Sequence, residues 1–158
     1  MKWHLGPIHD RIDDIKTLFQ QNVDHKHKDN YVKWPLFDKT VFARLGYDNN
    51  QNLVYYSAGI SRPEYNGGIR IMSRHTRDRT YNFGSMQDDL NRGLETLELS
   101  TEYALNLGYS DIWLSREESP HLFRYFSKKS KFSWDIYYGD VKYYKDFKIK
   151  QWIMKIKK

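Results

Sequence analysis

The sequence predicts an α/β (α+β) domain: a mixed, mostly antiparallel sheet of about six strands with a central parallel strand–helix–strand crossover, flanked by helices. Three observations predict it. Val41–Tyr47, Leu53–Arg62 and Ile69–His75 are strand-like runs that follow one another across short turns, an antiparallel meander. The period then changes, because Leu90, Leu94, Leu97, Thr101, Ala104 and Gly108 fall on one helical stripe that must face a sheet. Directly after it stands Ile112-Trp113-Leu114, too brief for a helix and apolar throughout, as a buried parallel strand is.

The other elements follow in order. Ile8, Ile12, Ile15 and Phe19 recur at helical spacing behind Pro7, with Asp10, Asp13 and Asp14 near the start, where the helix dipole favours them. Residues 22–39 are polar and broken by Trp34-Pro35, a short helix and a loop. Asp48-Asn49-Asn50-Gln51-Asn52 turns the first hairpin and Pro63–Gly68 the second. Gly108 is the left-handed stop of the long helix. Ser119-Pro120 opens another helix, with Leu122, Phe123 and Phe126 inward. Phe132–Tyr138 and Ile149–Ile156 close the sheet, with Trp134, Ile136 and Tyr138 as the inward set of the first and Trp152, Met154 and Ile156 of the second.

At 158 residues the chain makes one domain, residues 1–158, able to bury a core without staples. Alanine is nearly absent, so the aromatics, 16% of the chain, supply the core volume. The absence of cysteine excludes disulfides, Cys-ligated zinc, iron–sulfur clusters and thiol nucleophiles. No apolar run approaches the roughly 18 residues of a spanning helix and the start lacks a signal-peptide core, so the chain reads as soluble, cytoplasmic and without a membrane partner. Residues 127–158 hold ten lysines against three acids, net +7, while the rest is net −1. Such an end attracts phosphates, and it also serves as a solvated strand face that blunts a sheet edge.

The stretch from Gly93 to Arg116 carries a more particular signal. Gly93 and Gly108 bracket a helix that leads through Gly108-Tyr109-Ser110-Asp111 into Ile112-Trp113-Leu114, and Ser119-x-x-Leu122-x-x-Tyr125-Phe126 follows. In this order and spacing the chain resembles the GNAT N-acetyltransferase superfamily over about residues 8–156, as a divergent member. The resemblance implies acetyl-CoA or another acyl-CoA as co-substrate, bound between the Ile69–His75 and Ile112–Leu114 strands. It implies an amine acceptor, on a small molecule or a peptide. The superfamily's phosphate loop, Gln/Arg-x-x-Gly-x-Gly/Ala, sets backbone N–H groups at a helix start. Two versions stand here: Arg79-x-x-Asn82-x-Gly84, which leads into Ser85 and adds a helix about two turns longer with Asp88 and Asp89 in it, and Asp88-x-x-Asn91-x-Gly93. The candidate cofactor residues are therefore Arg77, Arg79, Asn82, Gly84, Ser85, Asn91 and Gly93. Ser85 and Asp88 also read as a plain helix cap.

The superfamily's general acid is the last Tyr of a Phe-Tyr pair. That position is Phe126 here, with Tyr125 beside it but rotated by about 100° on a helix, and Tyr137 and Tyr138 on the next strand. A base for the amine comes from Glu64, His75, Asp78, Glu117 or Glu118, each of which is also an ordinary turn or surface group. Among these side chains an imidazole has the unperturbed pKa nearest working pH, which favours His75. The candidate catalytic set is His75, Glu117 and Tyr125. Arg70 and Arg74 share one strand face, where they can grip an anion or pair with acids. His25-x-His27 lies in a polar, Lys-containing loop and reads as solvated, so no metal is expected. The alternative is a catalytically inactive GNAT-like domain that binds nucleic acid or a protein through the Lys-rich end, where Tyr143 and Tyr144 lie among the lysines.

Overall fold

The computed structural model describes residues 1–21, 37–72, 75–76, 85–144 and 147–158. The described residues form one sheet of eight strands. They are β1 (Lys2–Gly6), β2 (Thr40–Tyr47), β3 (Leu53–Ile60), β4 (Ile69–Ile71), β5 (His75–Thr76), β6 (Ile112–Arg116), β7 (Trp134–Tyr144) and β8 (Phe147–Ile156). Three α-helices pack on it: α1 (Ile12–Gln21), α2 (Met86–Asn106) and α3 (His121–Lys129). The strand order is β1-β2-β3-β4-β6-β8-β7, with β5 also on β3. All pairings are antiparallel except β4–β6, which α2 joins as the crossover.

The core has two halves, one on each face of the sheet. Under α1 lie Ile15, Leu18 and Phe19 against Ala43, Leu45, Tyr56, Ala58 and Ile60. Under α2 and α3 lie Leu97, Ala104, Phe123 and Phe126 against Phe42, Ile69, Ile71, Ile112, Trp134 and Met154. The central strands β2 and β3 are therefore covered on both sides, and all eight residues of β3 are buried. The first hairpin closes as its sequence requires. Asp48 accepts the N–H groups of Asn50 and Asn52 on Oδ1, both at 2.9 Å, while Gln51 takes φ 64°.

The structure departs from the sequence reading in several places. The first helix begins at Ile12, and residues before it form the edge strand β1, paired with β2 from Lys2–Tyr47 to Gly6–Ala43. Its half-buried residues left no clean alternation to read. The third meander strand is two pieces. Ile71 pairs with Gly59 and His75 with Tyr56, so three steps on β3 are matched by four on its neighbour, the signature of a β-bulge. Around it Met72 donates its N–H to Ala58 O and its carbonyl accepts from Ser57 Oγ, both at 2.8 Å. The long helix begins at Met86, one turn earlier than its apolar stripe showed. Tyr138, expected inward, is 56% exposed, because α3 is only nine residues long and covers β7 near Trp134; Tyr138 leans instead on its cross-strand neighbour Trp152, ring centroids 5.3 Å apart.

One glycine is fixed by packing alone. A Cβ on Gly59 would stand 2.3 Å from Cε1 and 2.6 Å from Cζ of Phe42, which lies directly opposite and is fully buried. Gly59→Ala is expected to cost about 1–3 kcal/mol through overpacking. At roughly 2–4 °C per kcal/mol for a chain of this size, the melting temperature should fall by about 2–12 °C in a thermal melt, with an unchanged denaturant m-value.

Candidate active site

The parallel pair at the centre of the sheet is short. β4 and β6 pair only at Ile69–Ile112 and Arg70–Trp113. Beyond that point the bulge keeps the chain of β4 against β3, while β6 runs on beside β8 to Arg116, opposite Trp152. The strands part, and a cavity of about 380 Å³ opens between them. Residues that belong to both faces of the sheet line it. Ile71, Leu114 and Phe126 line it from the α2–α3 side, where they belong to that half of the core. Arg70, Met72, Ser115 and Gln151 line it from the α1 side: Met72 packs on that half of the core, and Arg70 and Ser115 alternate with Ile71 and Leu114.

The roof is the first half of α2, clamped to the sheet by a buried polar cluster. Arg44, 2% exposed, donates from one Nη to Thr96 Oγ1 at 3.0 Å and from the other to Glu95. Its guanidinium lies 4.2 Å from the ring centre of Trp3, and the Tyr55 hydroxyl meets Thr96 Oγ1 at 2.7 Å. Partial burial pushes the Glu95 carboxyl up, but the hydrogen bond and charge of Arg44, aided by Arg92, outweigh it and hold the pKa below the usual carboxylate value.

The predicted site residues divide. Glu117 lines the cavity at the end of β6, and Gly93 lines it from α2. Asn91 and Gly93 lie in the second turn of α2, where their N–H groups belong to the helical ladder; that register of the phosphate loop is not a helix start. The helix start is at Ser85 and Met86. There Ser85 Oγ accepts from the Asp88 N–H and Asp88 Oδ2 accepts from the Ser85 N–H, both at 3.1 Å, with Asp89 next to them. This places the helix N-terminus directly after Gly84. Arg77, Arg79, Asn82 and Gly84 lie outside the described residues, as do Arg74, Asp78, His25 and His27 and the side chains of His75, Tyr143 and Tyr144. The backbone of His75 pairs with Tyr56. Of the other base candidates, Glu118 lines the cavity and pairs with Arg116, whereas Glu64 pairs with Arg62 away from it.

Tyr125 is off the cavity. Its hydroxyl accepts from Gln87 Nε2 at 3.0 Å, at the first turn of α2. Phe126 occupies the wall instead, and its ring tip explains why no hydroxyl stands there. A Cβ on Gly93 would be 3.0 Å from Cζ and 3.7 and 3.9 Å from the two Cε atoms, so the ring points end-on at the helix backbone. A tyrosine oxygen would run into α2. The sequence reading missed Arg44, Tyr55 and Thr96; a charged residue within an otherwise apolar strand was the available signal for the first.

The described residues contain no helix long and apolar enough to cross a membrane and no group of three His, Asp or Glu placed to hold a metal ion. Four of the C-terminal lysines are in ion pairs: Lys131–Glu102, Lys148–Asp140, Lys155–Asp111 and Lys157–Asp135. The basic end is interleaved with acids in space.

A meander, a bulged strand, a parallel crossover and a wedge between the crossed strands are the fold of the GNAT N-acetyltransferases. Solved structures bear this out. An acyl-CoA N-acyltransferase from Pseudomonas aeruginosa matches 98% of this chain and 99% of its own with a TM-score of 0.61 at 14% identity. An N-acetyltransferase from Staphylococcus aureus matches 98% and 97% with 0.59 at 13%, and the aminoglycoside 6'-N-acetyltransferase from Enterococcus faecium 99% and 97% with 0.59 at 13%. The likeness is one of fold. No protein-family model matches the chain, and neither does the sequence of any curated protein.

The clamp titrates. A carboxylate whose pKa is depressed in the folded state contributes stability above its unfolded value, near 4.3, and loses it as pH falls through the folded value. Glu95→Gln should therefore unfold at lower urea than the parent at pH 7, and the gap between their midpoints should narrow as pH is lowered below about 4.

Proposed function

We propose that the protein is an N-acyltransferase that moves an acetyl or other acyl group from coenzyme A to an amine. The observation that carries this reading is the cavity where β4 and β6 part, lined by residues of both sheet faces, so that a donor and an acceptor could meet there from opposite sides. The slot fits the donor: its α2–α3 side is walled by Ile71, Leu97, Leu114 and Phe126, suited to a thin, weakly polar arm ending in a thioester. The phosphates would sit at the start of α2, on N–H groups that the Ser85–Asp88 cap does not take, with the loop Arg79-x-x-Asn82-x-Gly84, Ser85 and Arg77 as the proposed ligands. Asp88 and Asp89 flank the same helix start, and in the sequence Arg77 and Arg79 precede it as the cations a phosphate would need beside them.

The amine arrives from the α1 side. Glu117, exposed at the wedge mouth, takes the ammonium proton; His75 is the second candidate for that role. The neutral nitrogen attacks the acyl carbon, the C–N bond forms, the nitrogen gives up its surplus proton to water at the mouth, the C–S bond breaks and the thiolate leaves. The wall beside the leaving sulfur is the Phe126 ring, so the sulfur takes its proton from water at the mouth and not from this helix. The fold similarity to acyltransferases supports the reading, and the amine acceptor follows from it. The paired lysines weigh against a silent domain that binds polynucleotides through its C-terminal end.

Acetyl-CoA at 100 times its dissociation constant should add about 2.7 kcal/mol, a rise of roughly 5–11 °C in melting temperature. Arg79→Ala should abolish the rise, and a melt unmoved by acetyl-CoA or free CoA would sink the enzyme. Glu117→Gln should keep the rise but lower kcat/KM by about 10²–10⁴-fold in a thiol-release assay; if His75→Asn shows that loss instead, the base is His75.

A further inference from the structure

Helix α3 runs from His121 to Lys129 and contains no acid. The helix dipole accounts for Lys128 and Lys129 in its last turn but not for His121 and Arg124 nearer its start. Leu122, Phe123 and Phe126 turn to the cavity and the core, and the four basic residues are all exposed. Lys131, just past the helix, pairs with Glu102 at 2.9 Å. Among the described residues no acid pairs with Arg124, Lys128 or Lys129. This basic face is tied to the start of α2 through Tyr125, which shares a face with Lys128 and Lys129 three and four positions on. The Tyr125 hydroxyl accepts from Gln87 Nε2 at 3.0 Å, in the first turn of α2, and Gln87 is held in turn by Asn91 Oδ1 at 2.9 Å. Lys129 Nζ lies over the Tyr125 ring, 5.9 Å from its centre. A fixed ring thus carries an ammonium next to the helix start and outside the cavity.

We infer that Lys128 and Lys129 hold the 3'-phosphate of the donor, so that the protein selects the whole coenzyme over thioesters that carry only its arm. The inference rests on the transferase reading. On that reading the arm lies in the slot beside Gly93 and Phe126 and the diphosphate at the start of α2, which leaves the nucleoside outside, against α3. Its 3'-phosphate is a monoester with a charge of about −1.5 to −2 at pH 7, and 3'-dephospho-CoA and phosphopantetheine lack it. An ammonium on a flexible stem is a point charge that meets such a group without demanding one orientation, which suits a phosphate at the outer end of a mobile ligand. Asp88 and Asp89 at the helix start repel the same ligand, so cations from a neighbouring element have a charge to offset. Tyr125 is then a positioning residue. Its hydroxyl is off the cavity and its ring sets Lys129.

The test is calorimetric titration of the full chain with acetyl-CoA, acetyl-3'-dephospho-CoA and acetyl-4'-phosphopantetheine. Acetyl-CoA should bind about tenfold or more tighter than its 3'-dephospho analogue, the factor that one charge-assisted hydrogen bond supplies. The double variant Lys128→Gln, Lys129→Gln should bring the two affinities together by weakening acetyl-CoA alone. The double variant Lys142→Gln, Lys150→Gln removes the same charge elsewhere and should keep the preference. Tyr125→Phe retains the ring and should retain the preference, whereas Tyr125→Leu should lower it. Circular dichroism melts of the same samples show that each variant is folded, and the comparison of the two thioesters on the parent protein needs no variant. Equal affinity for acetyl-CoA and acetyl-3'-dephospho-CoA overturns the inference and leaves the transferase standing. A preference that survives in the Lys128, Lys129 variant, or that falls as far in the Lys142, Lys150 variant, also overturns it. Binding of none of the three thioesters removes the transferase reading and this inference with it.

Discussion

The parting of β4 and β6 after two residue pairs is the constraint on which the site depends. A parallel pair in a sheet covered on both faces would otherwise run on and seal the centre. Here one extra residue between Ile71 and His75 holds the chain to β3, and the contacts of Ser57 and Ala58 with Met72 satisfy the backbone where the ladder is broken. The neighbour β6 has no such defect and stays with β8. Two strands that start together and follow different partners must leave a gap, and the gap opens at the ends where α2 and α3 begin. The fold thus places a cavity, two helix starts and the end of β6 at one edge of the sheet.

What keeps that gap from collapsing is the fit of the two helices above it. Gly93 lets the Phe126 ring come end-on against α2, which brings α3 close without filling the cavity. Arg44 then ties the same half of α2 down to β2 through Glu95 and Thr96. A buried guanidinium is costly unless its donors and charge are met. Here the two hydrogen-bond partners, Glu95 and Thr96, both stand on α2 while the Trp3 ring covers the guanidinium face, so the register of the helix on the sheet is the one in which Arg44 is satisfied. The roof is therefore positioned by a polar requirement and shaped by an apolar one.

The sheet's centre was legible in the sequence because its strands and crossover helix obey simple periods, and Gly108 stops α2 with φ 100° as its place predicts. What was not legible depended on partners far along the chain. β1 is a strand only because β2 offers it an edge. The break at Met72 has no local mark, since Ile69, Ile71 and Ser73 alternate without interruption in the sequence. The start of α2 carries no apolar stripe because its first residues face solvent, and it was legible only from Ser85 and Asp88, which spell the cap. Tyr138 turned outward because inward and outward on an edge strand are decided by how far a helix reaches over it, which is a tertiary fact. Of the site, Glu117 and Gly93 could be found from spacing, whereas Arg44, Tyr55 and Thr96 come together from two strands and a helix.

The place where the chain departs from its fold's usual pattern is also the most informative about its chemistry. A phenol at Phe126 would need the space that α2 fills, and making that space would mean moving Glu95 and Thr96 of α2 off Arg44. The absence of a hydroxyl in the wall is thus a consequence of how the roof is held and not a separate loss. If the wedge carries out acyl transfer, its proton balance must be struck at the mouth, where Glu117 stands in water, and not in the wall. A reaction arranged in this way asks little of a buried acid and more of the groups that orient the amine.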